Sequence, residues 1–271
     1  MKILVAKSAW EVYEKPLDVF VGRILEEGYD AAEVYLRDRP EKMGQIRHLM
    51  RNAGLPLIAQ IATRGDSPDD HIRNLLVDYE QALEAEPLFI SSHTGSEWFS
   101  FNDNLRIFQA AEELGSKYGL PVRHETHRGR ALFALNLTLP FLRALPDLRL
   151  TADFSHWFCV HEGNLENQQE SLSFVMERAR HIHARVGFDQ GPQISDPRNV
   201  SHKRWLDRSM ELWKGIISHA ESVGETTMTI TPEFGPPSYT PLNGISPEPV
   251  SDAWEMNSWM HRFLKEQLAL T

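Results

Sequence analysis

Short β-type runs recur along this chain at a nearly constant interval, and that spacing restricts the architecture more than any single residue does. The runs fall at 3–6, 32–36, 57–61, 88–91, 122–125, 148–153, 181–185 and 227–231. Between them, apolar residues recur at helical spacing over 17–27, 41–53, 69–86, 104–117, 130–144, 168–179 and 205–222, and a last such segment, 250–268, follows. Dividing 271 residues among eight units gives about 34 each, the size expected for one strand–helix unit of a (β/α)8 barrel. The punctuation agrees: Gly28, Gly54, Gly115 and Gly119 follow helical runs, and Ser67-Pro68-Asp69 reads as a helix start. The expectation is therefore an α/β fold, a single-domain (β/α)8 TIM barrel over residues 1–271. A doubly wound sheet is the competing architecture. It does not normally use eight units, and no Gly-rich fingerprint follows the first strand.

Four candidate ligands stand at the ends of the last four strands: Glu125, Asp153, His183 and Glu233. Their separations of 28, 30 and 50 residues are too wide for one loop (153 − 125, 183 − 153, 233 − 183). In a barrel, strand ends ring a common mouth, so these groups converge. Two Glu, one Asp and one His suit a hard divalent cation, Mn2+ or Mg2+ first, with Zn2+ or Co2+ as alternatives. Side chains alternate along a strand, so parity adds a test. Arg123 with Glu125, Thr151 with Asp153, His181 with His183 and Arg185, and Thr229 and Thr231 with Glu233 each share one face. Val122, Leu150, Ala152, Ile182, Met228 and Ile230 take the other face and are expected against helices. A polar interior is costly unless its charges pair or bind a metal. The competing explanation is an interior of salt bridges with Arg123 neutralising two acids.

Other residues are candidates by position. His156, three after Asp153, can turn back over the same site. His93 ends the fourth strand, and His127 follows Glu125. Trp10 and Trp98 follow strands one and four and could wall a sugar-binding mouth. The loop 186–204 is the longest connection and reads as a lid. The formal charge of −10 argues against a nucleic-acid partner. Cys159 is the only cysteine, which favours a cytoplasmic setting. No stretch approaches a membrane span, and the opening apolar run of four residues, 3–6, is too short for a signal peptide.

The order Glu125, Asp153-x-x-His156, His181-x-His183, Glu233 resembles the xylose isomerase-like TIM barrel superfamily, and within it the sugar phosphate isomerase/epimerase group. The resemblance spans essentially the whole chain. It implies metal ligands at Glu125, Asp153, His183 and Glu233, with Glu125 and Glu233 also acting as the acid/base pair. It implies substrate contacts from His156 and from Arg185, although this Arg follows the ligand His more closely than in the ketose 3-epimerases. His93-Thr94-Gly95 also resembles the AP-endonuclease branch. The Asp-x-His pair after strand seven is missing, and ATRGD stands where a His is expected after strand three, so a trinuclear zinc site is not expected. No Gly-rich phosphate cradle is present.

The chemistry these groups suit is proton abstraction next to a carbonyl, through an enediolate that a divalent metal stabilises. The leading expectation is a metal-dependent sugar or polyol isomerase/epimerase. The second is a lyase or dehydratase on a keto-sugar or keto-glycoside, with His93, His127 or His156 as general acid. An AP-endonuclease-like phosphodiester hydrolase is third, and a non-catalytic metal-binding barrel last. The expected partner is a small carbohydrate, with no membrane or nucleic acid; a homo-oligomer is compatible with the sequence.

Overall fold

In a computed structural model, which describes residues 1–37 and 39–270, eight parallel strands close into one barrel in sequence order. They are β1 (Lys2–Ser8), β2 (Ala31–Tyr35), β3 (Leu57–Ala62), β4 (Ile90–His93), β5 (Val122–Glu125), β6 (Arg149–Ala152), β7 (Ala179–His183) and β8 (Thr227–Thr231). Helices α1 (Leu17–Glu26), α2 (Met43–Ala53), α3 (Pro68–Ala85), α4 (Phe101–Tyr118), α5 (Leu135–Ala144), α6 (Phe154–Val160), α7 (Gln169–Met176), α8 (Lys203–Ser222) and α9 (Ala253–Gln267) surround it. Among the described residues no helix is long and apolar enough to cross a membrane.

Local chemistry sets the helix ends. Ser67 accepts from the Asp70 amide while Asp70 answers the Ser67 amide, with Pro68 at the first position of α3. Ser100 and Asp252 cap α4 and α9 by accepting from the Asp103 and Glu255 amides. Gly54 and Gly119 close α2 and α4 with φ of 65° and 72°. Gly115, by contrast, lies inside α4 rather than after it.

Burial separates the two faces of the sheet as alternation requires. Val122, Leu150, Ala152, Ile182, Met228 and Ile230 join the main core between sheet and helices. Ala6, Ala31, Ile58 and Phe89 form a second cluster. These four share the parity of Ser8, Glu33, Gln60 and Ser91 and so lie inside the barrel. Arg123 lies over Phe89 at 3.6 Å. It donates to the Arg180 carbonyl and Thr229 Oγ1, so it does not neutralise the acids at the mouth. Above this apolar layer the interior turns polar: Ser91 Oγ on β4 meets Thr151 Oγ1 on β6 at 3.0 Å, across the barrel.

Three connections differ from the sequence reading. Strand β7 stops at His183, two residues early, so Arg185 belongs to the loop above it. Helix α5 begins at Leu135, leaving 126–134 as a loop that brings His127 and Arg130 to the mouth. The segment 186–204 is not laid over the cavity and lends it no lining residue. It is pinned to the loop after β8 instead, with Gln193 bonded to both polar backbone groups of Gly235 and to Thr240 Oγ1.

Candidate active site

Glu125 ends β5, His183 ends β7, and Asp153 and Glu233 lie just beyond β6 and β8. One ligand atom from each lies within 4.8 Å of the others, and all four residues are buried. His183 Nδ1 is 3.0 Å from Glu233 Oε2 and 3.5 Å from Glu125 Oε2. Both Glu125 oxygens, His183 Nδ1 and Glu233 Oε2 are buried without a hydrogen-bond partner of good geometry. Unsatisfied buried groups of this kind are expensive. Their convergence on one point is what a bound cation resolves, and hard oxygens with one imidazole nitrogen fit a divalent ion.

The electrostatics carry the same message. Burial opposes ionisation of Glu125, but the charges of His93 and His183 outweigh it and hold the carboxyl well below its ordinary range. Burial likewise opposes charge on His183, yet Glu233, Glu33 and Glu125 raise its pKa well above the ordinary value. Burial pushes Asp153 up to about 6 against the pull of Arg185, with Glu125 and Glu233 adding to the rise. Three carboxylates are therefore crowded around one imidazole, an arrangement that extra positive charge relieves.

Asp153 differs from the other three. It caps α6, with Oδ1 accepting from the Ser155 amide at 3.0 Å and the Ser155 hydroxyl at 2.5 Å. Its Oδ2 takes the Arg185 guanidinium. Arg185 also donates to Ser155 Oγ at 3.1 Å, lies 2.7 Å from His156 Nε2 and is 3.6 Å from Glu233. Asp153 can thus serve a cation only by sharing an oxygen, Oδ2 with Arg185 or Oδ1 with Ser155. Arg185 is held charged: burial acts against it, but Asp153 and Glu233 raise its pKa.

A cavity of about 790 Å3 opens above these groups, large enough for a small substrate. Of the sequence candidates, Trp10, His93, Glu125, His127, Arg185 and Glu233 line it. Trp10 stands edge-on to Tyr239 at 5.0 Å. Its ring passes so close to Gly235 that any Cβ there would collide with it. His93 Nε2 lies 2.6 Å from Glu125 Oε2. His93, His127 and His156 form a row, with ring centroids 4.6 and 3.9 Å apart. Burial, reinforced by the charge of His93, keeps the His127 pKa well below the usual range. His156 is depressed too, by burial and then by His127 and Arg185.

Two candidates fall elsewhere. His156 is fully buried behind Arg185 and is not a lining residue, because the short helix α6 carries it away from the mouth. Trp98 is 67% exposed, stacks on Phe99 and lies outside the cavity wall. Sequence reasoning also missed residues. Gln60 and Glu33 are lone polar side chains in the apolar strands LIAQIA and AAEVY, a parity signal that could have been read. Tyr35, Arg37, Arg130 and Tyr239 also wall the cavity; the last three come from loops with no periodicity to betray them.

No family model matches the chain, and no curated protein matches it in sequence. Solved structures do match in fold. The probable 3-DHS dehydratase AsbF of Bacillus anthracis superposes with a TM-score of 0.66 at 14% identity, covering 98% of this chain and 99% of its own. The 3-keto-D-glucoside 4-epimerase YcjR of E. coli gives 0.66 at 12% identity, covering 98% and 100%. Endonuclease IV of Thermus thermophilus gives 0.62 at 12% identity, covering 99% and 100%. The protein thus has the (β/α)8-barrel fold its spacing led us to expect, shared with solved structures that include xylose isomerase-like TIM barrels. Enzymes with that fold include an epimerase, a dehydratase and an endonuclease, so the fold alone does not select a reaction.

Proposed function

We propose that the protein is a divalent-metal-dependent isomerase or epimerase of a small sugar or polyol, working by proton abstraction next to a carbonyl. The observation that carries this reading is the set of converging, hydrogen-bond-free atoms of Glu125, His183 and Glu233, of which Glu125 and Glu233 line an aromatic-walled cavity and His183 is buried between them. Glu125, Asp153, His183 and Glu233 would hold the cation. When bound, a divalent ion of this kind polarises a carbonyl and lowers the cost of the charge that develops on its oxygen.

The protein's own groups supply the rest. Glu125 and Glu233 come from strands three apart and reach the cavity floor, so one carboxylate takes the proton and the other returns it. Trp10 and Tyr239, edge-on to each other, give the cavity apolar ring surface of the kind that suits the C–H side of a sugar. Arg185 pulls against the burial that raises the Asp153 pKa and fixes its carboxylate in place.

A second reading, a lyase on a keto-sugar, is favoured by His93. It lines the cavity 2.6 Å from Glu125, where an imidazole could protonate a departing hydroxyl or glycosyl oxygen. One experiment tests both. Mn2+-loaded protein in D2O is offered a panel of ketoses, inososes and keto-glycosides, followed by NMR and mass spectrometry. Deuterium incorporation with conserved mass, apart from the isotope, supports the isomerase. Incorporation with loss of water or a glycosyl group supports the lyase. No exchange on any of them, with cleavage of abasic DNA, overturns the proposal.

A further inference from the structure

Glu33 has no part in the reaction just proposed, yet its carboxylate is fully buried inside the barrel. It comes from β2, three strands from β7 around the barrel by way of β1 and β8. Oε1 lies 3.0 Å from His183 Nε2, and Oε2 lies 3.3 Å from His181 Nε2. A carboxylate only accepts, so both Nε2 atoms carry hydrogen. His181 is then completed on its other side, where Nδ1 accepts from Thr229 Oγ1 at 2.7 Å. His183 is not. Its Nδ1 faces Glu233 and Glu125 and has no hydrogen bond of good geometry.

An acid at this position has a cost. The interior cluster of Ala6, Ala31, Ile58 and Phe89 is apolar, and Ala31 is the next inward-facing residue of the same strand. A buried carboxylate is expensive unless every lone pair is used for something. Glu33 uses both oxygens on imidazoles, and one of those imidazoles is a ligand of the proposed cation. His181 occupies the second oxygen and so stops the carboxylate from turning away from His183.

From this geometry we infer that Glu33 is a positioning residue. It fixes Nε2 as the protonated nitrogen of His183 and turns Nδ1 into the space between Glu125 and Glu233, where the divalent cation would be held and would displace the Nδ1 proton. The inference rests on the metal reading above. It assigns Glu33 the task that carboxylates behind ligating histidines perform generally, where their loss weakens metal binding about 10–100-fold.

The test measures the cation, not turnover. Mn2+ binding to the whole protein is followed by titration calorimetry for the wild type, Glu33→Gln and Glu33→Asp. The His183 tautomer is read from long-range 15N NMR of the Mg2+-loaded, 15N-histidine-labelled protein. Glu33→Gln should bind Mn2+ about 10–100-fold more weakly and show His183 in mixed tautomers. Glu33→Asp keeps the charge but retracts it by one methylene and should fall between. It also serves if the Gln variant does not fold. Variants that lose thermal stability but bind Mn2+ within about twofold of wild type, with His183 unchanged, would overturn the inference and leave the metal site standing. A wild type that binds neither Mn2+ nor Mg2+ at His183 would overturn the metal reading itself, and the role of Glu33 with it.

Discussion

Arg185→Met keeps most of the side chain's length and removes its charge. In the wild type that charge sits beside Asp153, and both residues are buried, at 2% and 0% exposure. The substitution strands the Asp153 carboxylate with only Ser155 as donor and leaves His156 Nε2 without its neighbour. Removing one partner of a buried ion pair costs about 3–5 kcal/mol. For a chain of this size each kcal/mol lowers Tm by roughly 2–4 °C, so the metal-free variant should melt roughly 6–20 °C lower. Cation binding should recover part of that loss. At about 1,000 times Kd a ligand stabilises the folded state by ~4 kcal/mol. The variant should gain more than the wild type does, because its Asp153 is no longer shared with Arg185. Scanning calorimetry with and without Mn2+ measures both effects. A metal-free Tm within about 2 °C of wild type would show that the pair is not structural. A smaller Mn2+-induced gain in the variant would show that Asp153 is not a ligand.

Glu125→Gln and Glu233→Gln should each lower kcat by at least about 10²–10⁴-fold, since each removes a proton acceptor and weakens the cation site; near wild-type rates in Mn2+-loaded variants, measured on a substrate the enzyme turns over, would refute the two-carboxylate scheme. A third prediction concerns acid stability. His261 stacks on Tyr29 at 4.0 Å, with Nε2 buried and unpartnered. Burial, then the charge of Lys265, depresses its pKa to about 4. The unfolded chain, at roughly 6.5, takes up the proton first, so this contribution to stability is complete above about pH 6.5 and is lost as pH falls toward 4. His261→Phe should flatten that acid limb of a Tm–pH curve, and parallel curves for the two proteins would contradict it.

The barrel itself was legible because parity and spacing are backbone properties. All eight runs became strands, and the inward placement of Glu125, His183 and Glu233 followed from period-two alternation. What failed had physical reasons. Helix α6 is seven residues long, and FSHWFCV carries no amphipathic period, so the segment holding His156 read as a loop. The HIHARV alternation continues through Arg185 although β7 ends at His183, because a tight return to Asp153 leaves the same parity as a strand. Trp98 was placed by chain position alone, and a loop can turn a side chain either way. Glu33 was the avoidable omission: one acid in AAEVY, on the inward parity, had to meet a partner across the barrel.

The central claim is that the ends of β5–β8 form one divalent-cation site, and crystals soaked in Mn2+ test it most directly. Anomalous scattering at the manganese edge should show a single strong peak with oxygens of Glu125, Asp153 and Glu233 and Nδ1 of His183 within about 2.5 Å. A peak elsewhere, or one whose carboxylates stay beyond about 3 Å, would contradict it.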